Sequence, residues 1–408
     1  MSKTLITLEQ PDEVRGSPTV VNAVPPIAAS PAQSALTVTA YTPTITVTNI
    51  GTEFNYYMSP SGNNGNSGLT ESTPWATFAY ALGQVNAGDK LGVMDGSYSE
   101  AIGTVPAAVT VQAVNDGAVT LTGAFNPGGA SGHVVQGMKV VSSVAKYLGA
   151  NGIYRRMSFV GGPAMSGAGA VNTLCNGNNI SVYESAFYGS GGRYLLMSYQ
   201  SDNNYFEDII FRPDGGCTYD GSNPAAAMNM YDAEGCEVVR GILIDGIYDA
   251  SIVVLGGLGM NTHTTTPNCG KYTQCVSLNT VQGYFWGDGS GILNGAEFED
   301  CIETGDTPYG ACIAWQPSNG GACSVTRMLS DDRCYVYGGS LVHTNSLIAS
   351  GGTGCTGVIN GDGANLTLNT DFLNDPRWAT EMNTAPGRGW YDSGLSLGAY
   401  VQAGIDAI

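Results

Sequence analysis

The stretch Tyr56–Glu100, "YYMSPSGNNGNSGLTESTPWATFAYALGQVNAGDKLGVMDGSYSE", holds the parts that decide the fold. It opens as a short strand and a long Gly/Asn loop. Thr73 is a good helix N-cap, and Pro74 fits the first helical position, where its missing N–H costs nothing. The spacing then predicts a helix over 73–85, with Trp75, Phe78, Ala79 and Leu82 on one face. "NAGDKLGVM" turns into a strand and "DGSYSE" turns out of it. One amphipathic helix leading into strands is what covers the open end of a stack of β-coils, which otherwise exposes apolar side chains and unpaired backbone.

The pattern Y-x-S-P-x-G … G-L-T … T-P-W-A-T-F-x-x-A-L … A-G-D-x-L-x-V-x-D-G-x-Y resembles the N-terminal segment of right-handed parallel β-helix proteins of the pectate-lyase-like superfamily. The resemblance covers about 45 residues and implies a fold. It implies no single activity, because that superfamily includes lyases, hydrolases, adhesins and phage tailspikes.

The rest of the chain agrees independently. Apolar patches such as "GIYRRMSFVG", "NISVYESAFYG", "NNYFEDIIF" and "CEVVRGILIDG" recur between Gly/Asn turns. With Phe159, Phe187, Phe211 and Ile244 as anchors, the steps are 28, 24 and 33 residues, and Phe298 follows after 54, roughly two steps, within the irregular 20–35 range of coils with variable loops. The expected fold is all-β: a right-handed, single-stranded parallel β-helix of roughly ten to twelve coils. It carries an N-terminal capping helix and an extended N-terminal arm. The expected divisions are an arm over 1–54, the β-helix over 55–375, and a C-terminal segment over 376–408 that caps the last coil or meets a neighbouring subunit.

The arm begins Pro/Ala/Ser-rich and then alternates Leu, Val, Tyr and Ile with Thr. Leu36, Val38, Tyr41, Ile45 and Val47 are its expected contact residues, pairing with another surface, another subunit or the chain's own body. The sequence "MSKTLITLEQPDEVRG" has no apolar core of the kind a secretory leader needs.

Composition limits the partners. Charged residues are 12% of the 408, and the net charge is −19 with 15 Lys and Arg. Nucleic-acid binding needs clustered cations and is not expected. Neither is membrane insertion, since no run approaches ~18 apolar residues. Ten cysteines include pairs spaced by 22, Cys301 to Cys323 and Cys312 to Cys334, which reads as equivalent places on successive coils. They are either buried thiols or disulfides between coils, while Cys269 and Cys275 could close a small loop.

No assembled catalytic pattern emerges. The cations from Arg193 to Arg377 are isolated, unlike the substrate clamp of uronate lyases. "YRRM" is expected to place Arg155 and Arg156 on opposite strand faces. "NTD" at Asn369–Asp371 follows "DD" at Asp331–Asp332, the reverse of the order in polygalacturonase-like hydrolases. Glu297 and Glu299 share a strand face about 7 Å apart by strand rise, a spacing compatible with a glycosidase pair, although a solvated acidic face is the commoner meaning of "EFEDCIETGD". No cofactor is expected, and the Asp-Gly turns resemble Ca²⁺ loops only loosely.

Together these features resemble a bacteriophage particle protein. The leading expectation is a non-enzymatic capsid decoration or fibre protein at the virion surface. Its arm would be held by a capsid or tail protein, its β-helix would assemble as a homotrimer, and a host glycan could be bound. A tailspike-type depolymerase and a cell-surface adhesin are the alternatives.

Overall fold

The computed structural model describes residues 39–40, 53–163, 171–189, 193–213, 226–246, 260–262, 270–280, 282–284, 296–304, 311–315, 322–336, 340–350, 355–357, 363–384 and 389–407. The chain is a parallel β-helix. One column of the first sheet shows it. Tyr57, Gly92, Gln112, Gln136, Arg155, Tyr183, Glu207, Val239, Thr273, Glu299, Thr326 and Thr344 lie in parallel register, each on the next coil. A further strand, Cys355–Gly357, pairs beyond them. Coils vary in length, since 19 residues separate Gln136 from Arg155 and 34 separate Val239 from Thr273.

Side chains alternate across this sheet. Leu91, Val111, Val135, Tyr154, Val182, Phe206, Val238, Tyr272, Phe298 and Val325 turn inward, and all are buried. Tyr272 and Phe298 stack with ring centroids 5.0 Å apart. In the second sheet Phe159, Phe187 and Phe211 stack at 5.0 and 5.2 Å. Two of the expected anchors differ. Leu243, not Ile244, continues the phenylalanine column, and Phe298 belongs to the first sheet. A phenylalanine marks an inward position without saying on which sheet.

Corners between strands explain the Gly/Asn turns. Asn151, Asn179 and Asn203 occupy one corner on successive coils with φ of 57–59° and 55°, where Asn tolerates the left-handed conformation. Asn179 Nδ2 donates to Asn151 Oδ1 at 3.2 Å.

The N-terminal helix is shorter than the spacing predicts. It runs Phe78–Leu82, with Thr77 as N-cap accepting from Tyr80 N. Trp75 is extended instead: it bridges to Met58, and its ring stacks on Tyr56 at 4.8 Å. Tertiary pairing outcompetes the local Thr73–Pro74 start signal. The buried helix residues are Phe78, Ala81 and Leu82, while Ala79 is exposed.

Residues 363–384 and 389–407 lie along the flank of the second sheet. Phe372, Leu373, Trp378, Trp390, Val401 and Ile405 pack with Ala186, Ile210, Ile242, Val276 and Ile302, the outward apolar residues of the second sheet. Part of the arm folds back on its own chain, because Thr39–Ala40 pairs in parallel with Thr367–Leu368. Leu36, Val38, Tyr41, Ile45 and Val47 lie outside the described residues.

Candidate glycan-binding face

The first sheet's outer face carries a strip of polar and aromatic groups. Gln136 Nε2 donates to Gln112 Oε1 at 2.7 Å. On the next rungs the Arg155 guanidinium lies 5.2 Å from the Tyr183 ring centroid, and the Tyr183 and Tyr205 rings are 5.9 Å apart. Tyr205 Oη donates to Glu207 Oε2 at 3.1 Å, and Glu237 is its register neighbour. Burial, and then the Glu207 carboxylate, push the Tyr205 phenol up, which keeps it a protonated donor. From Arg155 to Glu299 the face spans five rung steps, roughly 24 Å at strand spacing.

Glu297 and Glu299 belong to this face, as alternation predicts. Glu297 is exposed, whereas Glu299 is held by Arg327 Nη2 at 2.8 Å and Lys271 Nζ at 3.8 Å. Glu207 is likewise engaged by Arg240. These carboxylates brace the sheet edge, which is not how a free acid or a nucleophile is kept.

The bracing cations stand at the corner between the first and second sheets. Arg156, Glu184, Asp208, Arg240, Gln274, Asp300, Arg327 and Asn345 occupy it on successive coils, all at φ between 45° and 55°. A long side chain in that conformation costs about 1–3 kcal/mol. The ladder offsets this with pairs between coils. Arg240 Nε meets Asp208 Oδ1 at 2.7 Å, and Arg327 Nε meets Asp300 Oδ1 at 2.6 Å. Arg156 therefore sits at a corner and does not alternate with Arg155 along a strand.

The C-terminal segment is threaded along the same ladder. Asn365 N donates to Asp300 Oδ1 at 3.0 Å, Asn369 Nδ2 to Asp208 Oδ2 at 3.0 Å, and Arg156 Nη2 to Asp375 Oδ2 at 2.7 Å. Arg377 reaches Asp116 at 3.1 Å. Asn369 of the "NTD" motif caps the helix Thr370–Leu373 and does no chemistry there. Glu303, read from sequence as solvated, turns inside and accepts from Ser330 Oγ at 2.7 Å.

Cysteines 175, 236, 275 and 301 are buried free thiols, and Cys323 is buried as well. The 22-residue spacing is not a register: Cys323 lies opposite Ala296, and Cys334 opposite Ile313. The expected Cys269–Cys275 pair cannot be placed as a pair, because Cys269 lies outside the described residues. Among the described residues no three His, Cys, Asp or Glu gather as a metal site, and no helix is long and apolar enough to cross a membrane.

Sequence reasoning missed Arg155, Tyr183, Tyr205 and Glu207. The alternation in "NISVYESAFYG" and "NNYFEDIIF" does turn Tyr183, Tyr205 and Glu207 outward. Bringing them together requires the coil length, which the sequence does not state.

No protein-family model matches the chain, and no curated protein sequence does. Among solved structures, pectate lyase Pel9A aligns with TM-score 0.42 at 14% identity, covering 74% of this chain and 78% of its own. The Dettilon tailspike protein aligns with TM-score 0.43 at 11% identity over 78% of this chain and 70% of its own. A rhamnogalacturonan lyase aligns at 0.36 and 12% identity, over 77% and 86%. At that distance the fold rests on the strand register described above.

Proposed function

We propose that this chain is a non-enzymatic surface protein of a bacteriophage particle, a rigid β-helical rod whose outer first-sheet face binds a neutral host glycan. The observation that carries the reading is the strip from Arg155 through Tyr183 and Tyr205 to Glu207. Aromatic faces offer apolar contact to sugar rings. The Arg155 guanidinium and the half-buried Glu237 carboxylate beside Tyr205 offer hydrogen bonds to hydroxyls. A chain of net charge −19 repels a polyanion at long range, which favours an uncharged polymer. The engagement of Glu299 and Glu207 by cations supports binding without cleavage.

Anchoring falls to the Pro/Ala/Ser-rich residues preceding Thr39, because Thr39–Ala40 is already paired with the body. A capsid or tail protein of the particle is the partner proposed for that segment.

The test is incubation of the purified chain with host surface polysaccharide, reading both retention and released reducing ends. Retention without new reducing ends is the expected result. Released reducing ends overturn the non-enzymatic reading and make Glu297, Glu299, Glu207 and Glu237 the first residues to replace. No retention removes the glycan partner. Loss of particle association on deletion of residues 1–38 tests the anchoring separately.

A further inference from the structure

Cys275 and Cys301 stand on adjacent coils in matching register, since Val276 pairs with Ile302 and Thr273 with Glu299 on either side of them. Both are fully buried in the interior cluster. Parallel neighbours at strand spacing of about 4.8 Å fall inside the roughly 4.4–6.8 Å window of Cα separations that a disulfide spans. The thiols are also aligned along the column. Cys301 Sγ donates to Tyr272 O, on the rung of Cys275, at 3.5 Å, and to Glu299 O on its own rung at 3.4 Å. Cys275 Sγ repeats the arrangement one rung lower, with Val238 O and Thr273 O both at 3.5 Å.

Cys175 and Cys236 have no cysteine as a register neighbour. Cys175 has Ser198 as its register neighbour, and Cys236 meets that Ser198 hydroxyl at 3.8 Å. Cys323 lies between Ala296 and Leu341. The place equivalent to Cys275 one rung below is Gly241, and the place above Cys301 is Met328.

We propose that Cys275 and Cys301 are a modification site, forming a disulfide between two successive coils when a disulfide-bearing oxidant reaches them. The thiolate of one cysteine attacks a sulfur of the oxidant, forming a mixed disulfide and releasing one thiolate. The second cysteine then attacks the protein sulfur and releases the other. Two protein thiols are oxidised, the oxidant's disulfide is reduced to two thiols, and both protons pass to the released thiolates. Because both sulfurs are buried in the native stack, the exchange takes place while the coils are still closing. The staple would tie the coil of Lys271 to that of Glu299, next to their ion pair. It stands independently of any glycan at the outer face.

The test is refolding of the full chain in oxidised and reduced glutathione, then alkylation under denaturing conditions and peptide mass mapping. The expected result is a crosslinked peptide pair containing Cys275 and Cys301, 2 Da lighter than the sum of the reduced peptides. It should be absent from Cys301→Ser and accompanied by a higher Tm than the reduced chain. Cys301→Ala serves as a second variant should the serine disturb the column. Full alkylation of both cysteines in the oxidised sample overturns the proposal, and so does a bridge from Cys275 to Cys269 or any other partner.

Discussion

Arg156 reaches Asp375, 219 residues further along the chain, with Nη2 2.7 Å from Oδ2. The same guanidinium contacts Glu184 at 3.5 Å and also meets Asp116. One cation thus joins three coils of the stack to the segment strapped along their flank. Replacing it by methionine leaves Glu184 without its ion pair, and Asp116 and Asp375 with Arg377 alone. Arg156→Met should cost about 2–3 kcal/mol, below the range for a fully buried pair because the side chain is one-fifth exposed. Arg156→Lys should recover only part, since an ammonium cannot reproduce the fork. Thermal unfolding followed by circular dichroism measures both; equal stability of Arg156→Met and wild type would show the network to be dispensable.

Removing the strap tests the flank directly. A chain ending at residue 362 uncovers Ile210, Ile242, Val276 and Ile302, which Trp378, Trp390 and Val401 now bury. The truncated protein should bind a hydrophobic dye and associate, because a continuous apolar sheet face is exposed. A monomeric, dye-negative truncation would mean that the coils close without the strap.

Lys146 gives a pH signature. Its side chain lies inside, donating to the carbonyls of Gly161 and Ser142. Burial lowers its pKa from 10.5 to about 7. Below pH 7 both folded and unfolded chains hold the proton. Between about 7 and 10.5 only the unfolded chain does, so this group makes stability rise with pH across that window, and the gain is lost as pH falls back through 7. The rise should approach a few kcal/mol, of the order of 1.4 kcal/mol per pH unit. Lys146→Met should abolish it. Midpoints of urea unfolding for the two proteins at pH 7, 8 and 9 give the difference; parallel curves would refute the assignment.

The phenylalanine stack sets the interior. Phe187 is fully buried between Phe159 and Phe211. Phe187→Ala should cost about 3–5 kcal/mol, through lost transfer energy and the cavity left behind, and Phe187→Leu distinctly less. Denaturant unfolding of the two variants checks the order.

On the outer face, Tyr183→Ala and Tyr205→Ala should each weaken glycan retention about tenfold, the size of one lost aromatic contact, while shifting Tm little. Retention unchanged in the double variant would move the binding site elsewhere.

Much of this protein was legible from residue order alone. Alternation assigned which side of a strand each residue faces, including Glu297 and Glu299. The Gly/Asn punctuation announced the corners, and the 56–100 segment announced how the stack begins. Those features are local: they depend on a two-residue period and on which residues tolerate positive φ. The failures share one cause. Trp75 left its predicted helix for a bridge to Met58, and equal cysteine spacings proved to be no register. Each was decided by a partner tens of residues away, at a distance set by coil lengths that vary from 14 to 35 residues. Sequence by itself determined a stack of parallel β-coils with its faces assigned. Only the tertiary structure decided which coils align, and hence that Arg155, Tyr183, Tyr205 and Glu207 form one strip and that Arg156 holds Asp375, because register is a property of neighbouring coils and not of either one.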